Sequence, residues 1–121
     1  MFDLEKGRKT VIQEVRIPFG DLVGAEKDEV WVTLEEPDTF DCLKLKSQPK
    51  EVIADPNYLV NYFKEIFPKY IIDHGFCKGS VKATTEEVME FIFRKMSIAD
   101  HVTGEYFRAV FLSPQSKTKE K

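Results

Sequence analysis

The segment "VWVTLEEPDTFDCLKLKS", residues 30–47, contains the change of hydrophobic period that decides the fold. Its first part, residues 30–35, alternates between two sides, with Val32 and Leu34 on one side and Trp31 on the other. A period of two is typical of a β-strand. The second part begins at a proline and spaces its apolar residues as a helix does. The segment therefore predicts a strand followed directly by a helix.

The helix in this segment has a recognisable start. Pro37 suits a first helical turn, and Asp38 and Asp41 place negative charge at the positive end of the helix dipole. Phe40 and Leu43 follow at a spacing of three residues, which is close to one helical turn. We therefore expect a short helix after the strand.

A second β-rich stretch precedes the strand. "KTVIQEVRI", Lys9–Ile17, is rich in β-branched residues and places Val11 and Val15 on the same side. The loop between the two stretches, residues 18–29, contains two glycines and an acidic patch suited to a turn, and it is too short for a helical crossover. We expect the two strands to pair as an antiparallel hairpin.

Two longer helices are predicted after the hairpin. Asp55 is a suitable N-cap with Pro56 at the first helical position, and Pro68 is expected to stop that helix. Thr84 and Glu87 have the spacing of a capping box ahead of an apolar run. Each start signal is local, so each helix can be placed without knowledge of its neighbours.

A last helix begins at Ser97 or Asp100 and ends before Pro114. With it, the sequence predicts an α+β fold, an N-terminal antiparallel β-hairpin followed by about four α-helices. Residues 1–113 are expected to form one α+β domain. Residues 114–121, rich in Pro, Ser and Lys, are expected to be a flexible basic tail.

Composition narrows the classes of function. No apolar run approaches the length of a membrane helix, and the first residues lack the apolar stretch of a signal peptide, so we expect a cytoplasmic protein that does not enter membranes. The net charge of −3 does not favour phosphate binding, so a protein partner is expected rather than nucleic acid. Cys42 and Cys77 are expected to be reduced, partly buried thiols.

The segment "YIIDHGFCKG", residues 70–79, holds the side chains that could form a metal site or a Cys/His nucleophile pair. A structural zinc site needs four ligands, and only His74 and Cys77 have a suitable spacing. A nucleophilic thiol also needs an orienting group and an oxyanion hole, which the sequence does not indicate. We therefore predict no metal, no cofactor and no catalytic residue, and a structural bend formed by Asp73, His74 and Gly75.

The helix that begins after Thr84 has more apolar side chains than contact with one core requires. At 100° per residue they cover an arc of about 200°, whereas a surface helix needs little more than a stripe of about 100°. Another surface must cover the excess. The residues of this apolar arc are Val88, Met89, Phe91, Ile92, Phe93 and Met96.

Phe107 and Phe111 of the last helix point away from a regular core stripe that includes Val102 and Tyr106. Either neighbouring elements of the same chain cover them, or a partner or a second copy does, since large exposed apolar patches usually mark interfaces. We predict that both, together with Phe93 of the preceding helix, form a protein-interaction surface and that the chain forms homo-oligomers.

Two segments carry a resemblance to the tail assembly chaperones of tailed bacteriophages and prophages. "FPKYIIDHGF" resembles the form "lpklIxdHxF" of that family, and "TTEEV" resembles its helix start "(T/S)xEEV". The likeness covers roughly residues 10 to 112, and the loop of residues 18–29 is longer than the tight turn of the family. The residues in common are Pro68, Asp73, His74, Phe76, Glu86, Glu87 and Val88, with the pairs Ile71, Ile72 and Thr84, Thr85 covering the isoleucine and the threonine of the two forms.

This resemblance implies a non-enzymatic binding protein. Such chaperones bind the tape measure protein, prevent its long apolar helices from aggregating and deliver it to the tail tube protein. They also self-associate, and many genomes make a longer form by ribosomal frameshifting. The alternatives are a small cytoplasmic enzyme that uses Cys77 and His74, and a regulatory binding domain that presents a helix to nucleic acid.

Overall fold

The computed structural model describes residues 1, 3–6 and 13–112 of the chain, and residues 13–112 contain five strands and five α-helices. The strands are β1 (Glu14–Pro18), β2 (Trp31–Glu35), β3 (Ile71–His74), β4 (Cys77–Lys78) and β5 (Val81–Lys82). The helices are α1 (Thr39–Lys46), α2 (Lys50–Ile53), α3 (Pro56–Tyr70), α4 (Thr85–Arg94) and α5 (Met96–Phe107), which continues as a π-helical turn, Arg108–Leu112.

The α+β fold and the N-terminal hairpin are confirmed. β1 and β2 pair antiparallel, with Val15 opposite Leu34 and Ile17 opposite Val32. The described part of β1 begins at Glu14, and the predicted strand residues 9–12 lie outside the described residues. The predicted tail, residues 114–121, also lies outside them. The four predicted helices correspond to α1, α3, α4 and α5, and α2 is an additional single turn.

The predicted bend at Asp73 and His74 is wrong. Both residues belong to β3, which pairs antiparallel with the second edge of β2, so that Thr33 lies opposite Asp73 and Val32 opposite His74. The order of the sheet is β1-β2-β3. The physical reason is that β1 uses only one edge of β2, and the peptide groups of the other edge need partners. The chain leaves the sheet at Gly75.

Pro68 does not stop α3, contrary to the prediction. It lies inside the helix, which continues to Tyr70. A proline removes one N–H donor from the helix, and the last turn is nevertheless closed by a hydrogen bond from the backbone N–H of Ile71 to the carbonyl of Phe67. The helix therefore ends where β3 begins, without an intervening loop.

The core lies between the sheet and helices α3, α4 and α5. Tyr106 of α5 is fully buried between Phe63 and Phe67 of α3, with its ring edge-on to both at centroid distances of 5.5 and 5.2 Å. Its hydroxyl donates a hydrogen bond of 2.6 Å to the carbonyl of Glu35 at the end of β2. This side chain thus joins α3, α5 and the sheet.

Candidate functional site

The side chains of Asp73 and His74 hold the segment of residues 70–79 through local contacts. The ring of His74 is buried, and its Nδ1 accepts a hydrogen bond of 3.2 Å from the backbone N–H of Phe76. The Asp73 carboxylate forms an ion pair of 2.6 Å with Lys82 and accepts a hydrogen bond from the N–H of His74. These contacts, Lys82 first, lower the pKa of Asp73. One ring nitrogen of His74 is therefore engaged in a local turn.

Glycine is required at positions 75 and 79 of this segment for different reasons. Gly79 has a φ of +66° in the tight connection between β4 and β5, where glycine is favoured. Gly75 instead lies against the indole of Trp31, and a Cβ added to it would overlap the indole Nε1. Close approach of an aromatic ring, not backbone conformation, thus requires glycine at position 75.

The possible metal ligands and the two cysteines can be located in the described part of the chain. Within the described residues no group of three His, Cys, Asp or Glu side chains could hold a metal ion together. Both cysteines are free thiols, with Cys77 exposed on β4 and Cys42 half-buried on α1. Burial raises the pKa of the Cys42 thiol, whose Sγ lies 3.6 Å from the carbonyl oxygen of Pro37.

The three predicted interaction residues are divided between the core and the surface. Phe111 is buried, with 8% of its surface exposed, and its ring lies 6.4 Å from that of Phe63, so it cannot line an exposed surface. Phe107 is half-buried and stacks on Phe111 at 5.3 Å. Phe93 is half-buried and packs edge-on against Phe67 at 5.7 Å.

The apolar arc of α4 is only partly covered by the chain itself. Val88 and Ile92 are fully buried, whereas Phe91 has 41% of its surface exposed. Met96, which the prediction placed in the same arc, is the first residue of α5 and has 52% of its surface exposed. Phe91 contacts the ring of Phe76 at a centroid distance of 5.3 Å, which covers one side of it. The arc is thus wider than the core, as the helical periodicity indicated.

A groove runs between α3 and α4. It consists of a cavity of about 380 Å³ and a cavity of about 330 Å³, which share Lys64 and Met89 as walls. We call this the α3–α4 groove, and the residues that define it are Lys64, Pro68, Thr85, Met89, Phe93 and Arg94. Phe93 was predicted to be an interaction residue, whereas Lys64 and Pro68 were not, because only the packing of two helices brings these residues together.

A polar cluster joins the start of α1 to α3. The carboxylate of Asp41 accepts a hydrogen bond of 2.6 Å from Tyr70 and forms an ion pair of 2.8 Å with Lys69. The hydroxyl of Tyr62 donates to the carbonyl of Asp41, and the N–H of Asp38 donates to Tyr70. We call Asp38, Asp41, Tyr62, Lys69 and Tyr70 the α1 clasp.

The α1 clasp fixes the charge of its carboxylate. Burial opposes ionisation of Asp41, but the hydrogen bonds from Lys69 and Tyr70 outweigh burial and lower its pKa. Burial and the nearby Asp41 carboxylate raise the pKa of Tyr62. The ionised Asp41 carboxylate is therefore an acceptor for the Tyr70 hydroxyl at neutral pH, whereas Tyr62 donates to the backbone carbonyl of the same residue.

Helix α1 presents apolar side chains to solvent. Leu45 is fully buried and Cys42 half-buried on its inner side, while Phe40 and Leu43 on its outer side have 80% and 55% of their surfaces exposed. A phenylalanine as exposed as Phe40 loses the free energy that burial of its ring would provide. The spacing of Phe40 and Leu43 predicts the helix but does not indicate that both side chains lie outside the core.

Comparison of the chain with protein-family models, with curated proteins and with solved structures finds no match. Among the described residues, no helix combines the length and the hydropathy that crossing a bilayer requires.

Proposed function

We propose that this chain is a non-enzymatic tail assembly chaperone of a tailed bacteriophage or prophage. In this proposal it acts in the cytoplasm of the bacterial host, binds the tape measure protein and delivers it to the tail tube protein. Three observations support it: the resemblance in residues 68–76 and 85–88, apolar surface on α4 that the chain leaves uncovered, and the α3–α4 groove. The α3–α4 groove is the observation that carries the proposal.

The α3–α4 groove has the chemistry of a site for an amphipathic helix. Met89 and Phe93 supply an apolar floor, and the methionine side chain can adapt its shape to different ligands. The borders carry charges of both signs, with Lys64 on α3 and Glu90 and Arg94 on α4. A helix with an apolar stripe between charged flanks fits such a groove.

The partner we assign to the groove is an apolar segment of the tape measure protein. A protein with long apolar helices aggregates until its partners cover those helices, and a chaperone prevents this by binding the unassembled form. Phe93 retains its role as an interaction residue in this proposal. Phe111 does not retain this role, because it is buried. Phe107 does not retain it either, because its ring stacks on that of Phe111.

Coexpression tests the proposal. The chain is expressed together with the tape measure protein encoded by the same genome, and the soluble fraction of that protein is measured with and without the chain. We expect the tape measure protein to be insoluble alone and to copurify with the chain when both are made. Equal insolubility in both cases would contradict the proposed function.

A matched pair of variants locates the surface in the same experiment. Phe93 and Phe107 are both half-buried phenylalanines that pack against the core, so Phe93→Ala and Phe107→Ala remove similar side chains. We expect Phe93→Ala to reduce copurification and Phe107→Ala to preserve it, at equal levels of folded chain measured by circular dichroism. Equal loss in both variants would remove the α3–α4 groove from the proposal.

A further inference from the structure

We propose that α1 is the contact between two copies of this chain, packed antiparallel to each other about a two-fold axis. This inference deepens the self-association that belongs to the proposed function and rests on it. The apolar part of the contact is the pair Phe40 and Leu43, which lie one turn apart with 80% and 55% of their surfaces exposed. In an antiparallel pair, Phe40 of each copy packs against Leu43 of the other.

Helix α1 is held in place, so the position of its outer side is fixed. Leu45 anchors its inner side in the core, and the α1 clasp ties its first turn to α3 through Asp41 and Tyr70. The N-cap bond from the N–H of Asp41 to the Asp38 carboxylate, 2.9 Å, closes the same turn. A surface that is already ordered loses little conformational entropy when a second copy binds.

The distribution of charge on α1 selects a second copy as the occupant and an antiparallel orientation. Glu36 and Asp38 lie at its N-terminal end, and Lys44 and Lys46 lie in its last turn. A parallel pair would place like charges together. An antiparallel pair places the acidic end of each copy beside the basic end of the other, so that the surface is complementary to itself.

The apolar contact can be tested by sedimentation at several protein concentrations. We expect the wild type to dimerise and the double variant Phe40→Ser/Leu43→Ser to need at least about tenfold higher concentration for the same dimer fraction, because interface aromatics carry much of the binding energy. Leu22→Ser is the control, because Leu22 has 41% of its surface exposed outside α1. Equal weakening by the control would overturn the assignment of the contact to α1.

Charge exchange tests the antiparallel orientation. Thr39 is exposed next to the N-cap, and in an antiparallel pair it lies beside Lys44 of the other copy. Thr39→Lys then sets lysine against lysine, and Lys44→Glu sets glutamate against the acidic end. We expect each variant alone to dimerise more weakly than the wild type. An equimolar mixture of the two should dimerise more strongly than either, because the lysine introduced at position 39 of one chain then faces the glutamate introduced at position 44 of the other.

The outcomes separate this inference from the proposed function. A mixture that associates no better than its components overturns the antiparallel α1 contact, even when the wild type dimerises and solubilises the tape measure protein. A wild type that stays monomeric at every concentration overturns both the contact and self-association, while coexpression still decides client binding. Lost copurification in Phe40→Ser/Leu43→Ser with unchanged sedimentation overturns the contact and assigns α1 to the client.

Discussion

The hydroxyl of Tyr70, the last residue of α3, donates a hydrogen bond of 2.6 Å to the carboxylate of Asp41 in the first turn of α1. The same hydroxyl accepts the backbone N–H of Asp38 at 3.0 Å. Tyr70 is also followed directly by β3, which pairs with β2. The Tyr70 side chain therefore ties α1, the short helix that contains Phe40, to the place where α3 joins the sheet.

Removal of this hydroxyl should loosen α1. We expect Tyr70→Phe to lower the free energy of unfolding by about 1–2 kcal/mol, because a hydrogen bond to a charged acceptor in a partly buried site is lost. The measurement is chemical denaturation at neutral pH. Tyr58→Phe is the control, because it removes a hydroxyl outside the α1 clasp on the same helix. An equal loss in both variants would contradict the role assigned to Tyr70.

The lowered pKa of Asp41 predicts a pH dependence. Its folded pKa lies below its unfolded value of about 3.9, so the stabilisation is fully present above about pH 4 and is lost as the pH falls through the folded pKa. Asp41→Asn should therefore be less stable than the wild type at pH 7, and the difference should shrink below about pH 4. The measurement is urea denaturation over that range.

The control for this pH dependence is Asp21→Asn, in an exposed part of the loop between β1 and β2. Its stability should follow that of the wild type throughout the acid range. A difference between Asp41→Asn and the wild type that stays constant down to about pH 2 would show that the ionised Asp41 carboxylate does not provide the stabilisation.

Phe107 at the end of α5 and Phe111 in the π-helical turn that follows it should differ in their contribution to stability. Phe111 has only 8% of its surface exposed, so Phe111→Ala should cost about 3–5 kcal/mol of folding stability. Phe107→Ala should cost clearly less, because Phe107 is only half-buried. Both values come from denaturation at a concentration where the chain is monomeric. A larger loss for Phe107→Ala would contradict the burial of Phe111.

Two glycine substitutions should have opposite effects. A Cβ at Gly75 meets the indole of Trp31, so Gly75→Ala should cost about 1–3 kcal/mol by overpacking. Gly104 lies inside α5, where the nearest atoms to a new Cβ are those of the Arg108 guanidinium at 3.6 Å. Gly104→Ala should stabilise the chain by about 0.5–1 kcal/mol through helix propensity. Thermal unfolding of both variants provides the comparison.

Those parts of the fold that rest on local rules could be predicted from the sequence. The capping box at the start of α4 is present in full, with Thr84 N–H bound to Glu87 at 2.9 Å and Glu87 N–H bound to Thr84 at 3.2 Å. Asp55 caps α3 as predicted, through the N–H of Asn57. Each of these signals lies within a few residues of sequence, so no distant contact can alter it.

The parts that depend on distant contacts could not be predicted. β3 is only four residues long, too short for a clear period, and pairing with β2 alone makes it a strand. Phe111 is buried because the chain changes to a π-helical turn at Arg108. A wider turn advances fewer degrees per residue and brings Phe111 back toward the side of Tyr106, which no spacing rule for α-helices anticipates.

The most direct test of client binding is a titration of the purified chain against a fluorescently labelled amphipathic helical peptide from the tape measure protein of the same genome. Fluorescence anisotropy measures the Kd for the wild type, Phe93→Ala and Phe107→Ala. We expect saturable binding that Phe93→Ala weakens by about tenfold or more, as is usual for an interface aromatic, while Phe107→Ala leaves it within about twofold. Absence of saturable binding by the wild type would contradict the central claim.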